Sequence, residues 1–154
     1  MKNIKSVVCI IVILSTLTVK SFGSSSIDDS VKIIKSYIDS YTNNNAKLMK
    51  KILADGATLK LSRGEALLVQ SKENIVDFMR ASGKMTQECD TKYEVLSNGT
   101  ALVVARVDFE YQNAVQHIYL IIEKNPEREW KITQICKIIN DKEYSPDTNV
   151  LTKN

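Results

Sequence analysis

The chain has 154 residues, with 21 Lys and Arg against 18 Asp and Glu and a single histidine. That length holds one domain with a substantial core, and a formal net charge of +3 is too small to mark a nucleic-acid surface. Three cysteines and one histidine with no close spacing exclude a zinc-site pattern, so no metal or other cofactor is expected.

The first segment reads as a leader. Lys2 and Lys5 precede an apolar run over residues 7–17, interrupted only by Ser15 and Thr16, and Ser21-Phe22-Gly23 then places small residues where a signal peptidase reads. This predicts a signal peptide over residues 1–23, too short in its apolar part to span a bilayer comfortably. Cys9 follows Val7-Val8 and precedes most of the apolar run, which argues against a lipoprotein anchor. Cleavage would take 23 of the 154 residues, leaving 131, and with them Lys2, Lys5 and Lys20. The mature chain would then carry 18 basic and 18 acidic residues, with no charge to draw it to nucleic acid or membrane. The expected location is extracytoplasmic, either periplasmic or secreted.

Ile27, Val31, Ile34, Ile38 and Tyr41 recur at three- and four-residue steps, predicting a first helix with one apolar stripe and Tyr37 at its edge. Asn43-Asn44-Asn45 ends it and caps a second helix, with Leu48, Met49, Ile52 and Leu53 buried and Gly56 as the stop. Asp55, just before that glycine, reads as a turn residue. Residues 57–61 and 66–70 read as short strands around Ser62-Arg63-Gly64. Ser71 caps a third helix that turns Ile75, Phe78 and Met79 inward and ends at Gly83.

Four further strands follow without a helix. Cys89, Thr91, Tyr93 and Val95 share the inner face of the first, and Ala101, Val103, Ala105, Val107, Phe109 and Tyr111 that of the second. A three-residue loop, Ser97-Asn98-Gly99, pairs Val95 with Ala101 and keeps the apolar faces together, with Gly99 left-handed. A loop centred on Asn113-Ala114 pairs Val107 with Leu120. Ile118, Leu120 and Ile122 then point in, while His117, Tyr119 and Ile121 point out. Strict alternation on the last strand turns Trp130, Ile132, Gln134, Cys136 and Ile138 inward, and Lys131, Thr133, Ile135 and Lys137 outward. Cys89 and Cys136 fall on the first and last strands of this meander, about 14 Å apart across three strand spacings. A disulfide needs Cα atoms within roughly 7 Å, so two buried free thiols are expected. Residues 141–154 are polar and aperiodic and read as a loose tail behind a domain over 24–140.

The order of these elements resembles the nuclear-transport-factor-2-like (NTF2-like), cystatin-like fold, an α+β cone in which three N-terminal helices pack into one curved antiparallel sheet. The ending Tyr119-Leu120-Ile121-Ile122-Glu123-Lys124 followed by Glu129-Trp130-Lys131-Ile132 is similar to the group of that superfamily named for lumazine binding, and SnoaL-like proteins share the same frame. Ala54-Asp55-Gly56-Ala57-Thr58 and Phe109-Glu110-Tyr111-Gln112 resemble parts of bacterial ketosteroid isomerases. That second resemblance implies an oxyanion-binding tyrosine at Tyr37, a base at Leu61 and a second acid at Leu120. Leucine neither accepts a proton nor donates a hydrogen bond, so isomerase chemistry is disfavoured.

Three functional readings follow. The first is binding of a small apolar or aromatic ligand in the cone by Tyr37, Tyr93, Phe109, Leu120, Trp130 and Gln134. The second is an isomerase- or cyclase-type enzyme using Tyr37. The third is an interaction module acting through the outer sheet face, where Leu102, Val104, Tyr119, Ile121 and Ile135 cluster; the resemblance implies a homodimer through that face. His117 falls on the same face, beside Arg106 and Glu110, and reads as a solvated strand residue.

Overall fold

A computed structural model describes residues 24–63 and 65–141. The predicted leader lies outside the described residues, as does all of the predicted tail except Asp141, which ends the last strand. The elements follow the expected order: α1 (Ser24–Thr42), α2 (Ala46–Ile52), β1 (Leu53–Arg63), β2 (Ala66–Ser71) and α3 (Lys72–Ala81), then β3 (Asp90–Asn98), β4 (Leu102–Glu110), β5 (Ala114–Lys124) and β6 (Trp130–Asp141). The strands form one six-stranded sheet in the order β2-β1-β6-β5-β4-β3. Every neighbouring pair is antiparallel except β1 and β6, which run parallel, so the sheet is mixed rather than wholly antiparallel. No hairpin joins β1 to β6, and a pair separated by so much chain is free to take either direction.

The helices fill the hollow of this sheet. In α1 the buried residues are Ser30, Ile34, Tyr37 and Ser40, whereas Val31, Ile38 and Tyr41 are only partly covered. Tyr37 is therefore central to the buried stripe, not at its edge. Serine at two of these positions lets the helix approach closely, and the Ser40 hydroxyl is satisfied by donating to the Tyr37 carbonyl at 2.9 Å. Asn45 caps α2 as expected, its side-chain oxygen accepting from the Leu48 amide at 3.0 Å. Asn44, at φ 48°, donates to the carbonyls of Met79 and Gly83 and so ties this turn to the end of α3.

Helix α2 ends at Ile52, and Gly56 and Asp55 lie inside β1 rather than at a helix stop. Asp55 pairs with Lys72 at 2.8 Å. Ser71 caps α3, whose buried face is Lys72, Ile75, Val76 and Met79, one i, i+3, i+4, i+7 set. Phe78 falls off that set and is 70% exposed, contrary to expectation.

Both predicted hairpins slip by an even number of residues, which preserves their faces. Val95 pairs with Ala105 rather than Ala101, with an irregularity just beyond it, and Val107 pairs with Ile118 rather than Leu120. Gly99 is not left-handed. Its amide donates to the Leu102 carbonyl at 2.8 Å, and a Cβ there would lie 2.9 Å from that oxygen, so glycine is needed for close approach.

The last strand departs further. Ile122 pairs with Ile132 but Ile121 with Gln134, leaving Thr133 as the extra residue of a β-bulge. Past it the alternation inverts. Ile135 stands opposite Leu120 and Lys137 opposite Ile118, both on the inner face, while Gln134 and Cys136 stand opposite Ile121 and Tyr119 on the outer one. The inward positions expected for Gln134, Cys136 and Ile138 are thus wrong, as are the outward ones for Ile135 and Lys137. The physical reason is burial: the bulge places Ile135, 2% exposed, where strict alternation would bury the Gln134 amide. Cys89 and Cys136 are both free thiols but only partly buried rather than buried, since Cys136 faces outward and Cys89 precedes β3.

The two registers of β6 make opposite demands on neighbouring residues. Ile135→Ala is expected to cost about 2–4 kcal/mol in chemical denaturation, as for a truncated core side chain. Gln134→Ala should change stability by no more than about 0.5 kcal/mol. The reverse order would restore strict alternation and remove the bulge.

Candidate functional site

The hollow is not completely filled. A cavity of about 270 Å³ lies between α1, α3 and the β1–β6 side of the sheet. Buried Tyr37, Met49 and Ile135 form its floor, and Leu68, Phe78 and Met85, each about half exposed or more, form its rim. Leu59 and Leu61 reach it because they share the face of Ile135 and Lys137 across the parallel β1–β6 pair. Its polar lining is sparse: the phenols of Tyr37 and Tyr41, three side-chain amides and the Lys137 ammonium.

The phenols are organised by stacking. Tyr37 lies against Tyr41 with ring centroids 5.9 Å apart and 19° between planes, and Tyr41 tilts onto Phe109 at 4.6 Å. The Tyr41 hydroxyl donates to the Gln116 side-chain oxygen at 2.9 Å and accepts from Lys137 Nζ at 2.6 Å. The same ammonium lies 5.1 Å from the Tyr41 ring centroid. Gln87 donates to the Tyr41 carbonyl at 3.0 Å and accepts from the Tyr111 hydroxyl. The Tyr37 ring is 2% exposed, yet its hydroxyl has no hydrogen-bond partner among the described residues.

Burial pushes the Tyr37 phenol well above its ordinary value of 10.0, and the neighbouring Tyr41 and Tyr111 add to the rise. Burial is also the main cause of the raised Tyr111 phenol. Both are neutral hydrogen-bond donors at physiological pH.

Of the six residues assigned to the pocket from sequence, only Tyr37 lines it. Phe109 and Leu120 are fully buried behind it, Phe109 as the support for Tyr41. Trp130 is a core residue, 6% exposed, capped by the Lys124 ammonium at 4.7 Å and away from the cavity. Tyr93 has the inner-face register, opposite Val107, but is 41% exposed because β3 is the sheet edge. Gln134 faces outward and donates to the Cys136 sulfur at 3.0 Å. On the same outer face His117 sits 2.8 Å from Asp108, as a strand residue in the expected position. Ile135 has left the apolar cluster expected there.

Tyr41, Lys137, Leu59, Leu61 and Met79 are among the lining residues not foreseen. The signal for Lys137 was present in β6: Ile132 and Ile135 are three apart, a spacing that strict alternation cannot bury. Among the described residues no group of three or more His, Cys, Asp or Glu side chains is placed to hold a metal ion.

The raised phenols link stability to alkaline pH. A group whose folded value lies above its unfolded one stabilises fully below the unfolded value, and that contribution is lost as pH rises through the folded value. Stability in urea denaturation should therefore fall as pH passes about 10. Tyr37→Phe should flatten this alkaline loss, and an unchanged slope would show that Tyr37 is not held neutral by the fold.

No protein-family model and no curated protein matches the chain. Solved structures do. An NTF2-like protein of unknown function from Methylobacillus flagellatus superposes with a TM-score of 0.66 at 15% identity, covering 78% of this chain and 96% of that one. A cystatin-like fold protein from Burkholderia xenovorans gives 0.64 at 10% identity, covering 78% and 95%. A ketosteroid isomerase-like protein from Erwinia carotovora gives 0.59 at 10% identity, covering 77% and 99%. Each superposition covers at least 77% of this chain, and the chain has the NTF2-like, cystatin-like fold.

Proposed function

We propose that the protein binds a small, largely apolar or aromatic molecule in this cavity without transforming it. The observation that carries the reading is the Tyr37 hydroxyl, which lines a mostly apolar cavity and has no protein hydrogen-bond partner among the described residues. A donor that faces the cavity with no protein partner is free to meet a ligand acceptor, and that hydrogen bond would add to the apolar contacts. At about 270 Å³ the cavity lies just below the roughly 300–1,000 Å³ of drug-sized sites, which suits a small occupant.

Proton transfer is supported less. No carboxylate or imidazole lines the cavity, Leu61 occupies the wall where the isomerase resemblance would need a base, and Leu120 is sealed in the core. Tyr37 remains as a donor with no base to work beside it.

A neutral probe tests this. In methyl NMR, 4-phenyl-1-butanol should shift the resonances of Leu59, Leu61, Met79 and Ile135 and leave the outer-face methyls of Val104 and Ile121 unmoved. Tyr37→Phe should weaken its binding by about 0.5–1.5 kcal/mol, the worth of one neutral hydrogen bond. Shifts confined to the outer face would sink the cavity reading.

A further inference from the structure

The bulge at Thr133 turns Lys137 into an apolar cavity. Its inner-face neighbours across the sheet are Leu61 on β1 and Ile118 on β5, neither of which can compensate a charge. Among the described residues no carboxylate lies within ion-pair distance of its ammonium. The contacts it makes are a hydrogen bond to the Tyr41 hydroxyl and the approach to that ring. An ammonium has three donors, so two N–H groups remain after the bond to Tyr41. The Tyr41 oxygen accepts one of the three and passes its own hydrogen to Gln116.

Resting on the reading that the cavity takes a small apolar molecule, we propose that this molecule is a monocarboxylic acid, its carboxylate held by Lys137 and its apolar body against Leu59, Leu61 and Met79. A charge in low dielectric is expensive unless it is paired, and one carboxylate would neutralise one ammonium. The stoichiometry disfavours phosphate: no arginine lines the cavity, and a dianion would leave a charge uncompensated. A carboxylate has acceptor sites on two oxygens, enough to take the spare N–H groups of Lys137 and still receive the Tyr37 hydroxyl. The tyrosine stack between them explains why both donors face one space: Tyr37 stacks on Tyr41, and Tyr41 holds Lys137.

Calorimetric titration with octanoate and with octanamide at neutral pH separates this inference from the reading beneath it. The two probes share a tail and differ in charge. Octanoate is expected to bind about tenfold tighter or more than octanamide, as for a hydrogen bond to a charged partner. Lys137→Met, which keeps an unbranched stem in the wall, should abolish that preference while octanamide still binds. Tyr41→Phe, which removes the oxygen that positions the ammonium, should reduce it. Equal binding of the two probes to the unmodified protein would overturn the carboxylate assignment and leave the apolar cavity standing. A preference that survives Lys137→Met would place the anion elsewhere and overturn it as well. Binding of neither probe would remove both the carboxylate assignment and the cavity reading on which it rests.

Discussion

The site depends on one inserted residue. Thr133 sits in β6 as the extra member of a bulge, and its hydroxyl donates to the Ile121 carbonyl at 3.4 Å on the facing strand. Because side chains alternate along a strand, one inserted residue exchanges the two faces for everything after it. Ile135 enters the core, Lys137 enters the cavity, and Gln134 and Cys136 leave for the outer surface. Without the bulge a glutamine would be buried against Leu120 and the cavity would have no cation.

The central position of β6 magnifies this effect. It pairs with β5 on one side and with β1, in parallel, on the other. Its inner residues therefore meet both the meander and the strand pair that follows α2. The parallel pairing aligns Leu59 with Ile135 and Leu61 with Lys137, so the cavity wall is continuous across the two strands. Helix α1 lies over this wall at Tyr37 and Tyr41, its approach permitted by buried Ser30 and Ser40. Helix α3 completes the enclosure with Ile75 and Met79, while Phe78 is left at the rim.

The chemistry of the cavity follows from what is missing as much as from what is present. Tyr37 stands as a hydrogen-bond donor on the floor of the cavity, and burial holds it neutral. Among the described residues no acidic group lines the cavity, and leucine fills its wall at 61 and the core at 120. A hydrogen-bond donor in that position is suited to orienting or holding a ligand, which is what the proposed binding role asks of it. In the proposed binding role the positive charge of Lys137 would set the preference among ligands, because an apolar surrounding strengthens its attraction for an opposite charge.

Local sequence determined much of the frame. The three helices, the Asn45 and Ser71 caps, the order of strands along the chain and the faces of β4 and β5 were all readable from periodicity and capping chemistry. Even-numbered slips in two hairpins left those faces intact, because only an odd slip inverts them. Tertiary structure decided the rest. The parallel β1–β6 pairing joins segments too far apart for any local signal, and the exposure of Tyr93 comes from β3 being an edge that the helices do not cover. The bulge lies between these two cases: the three-residue spacing of Ile132 and Ile135 hinted at it, but only the competition to bury isoleucine rather than glutamine against Leu120 and Ile122 resolved it. That competition turned Lys137 inward, and so the feature that gives the cavity its charge was settled by packing and not by the alternation of the strand that carries it.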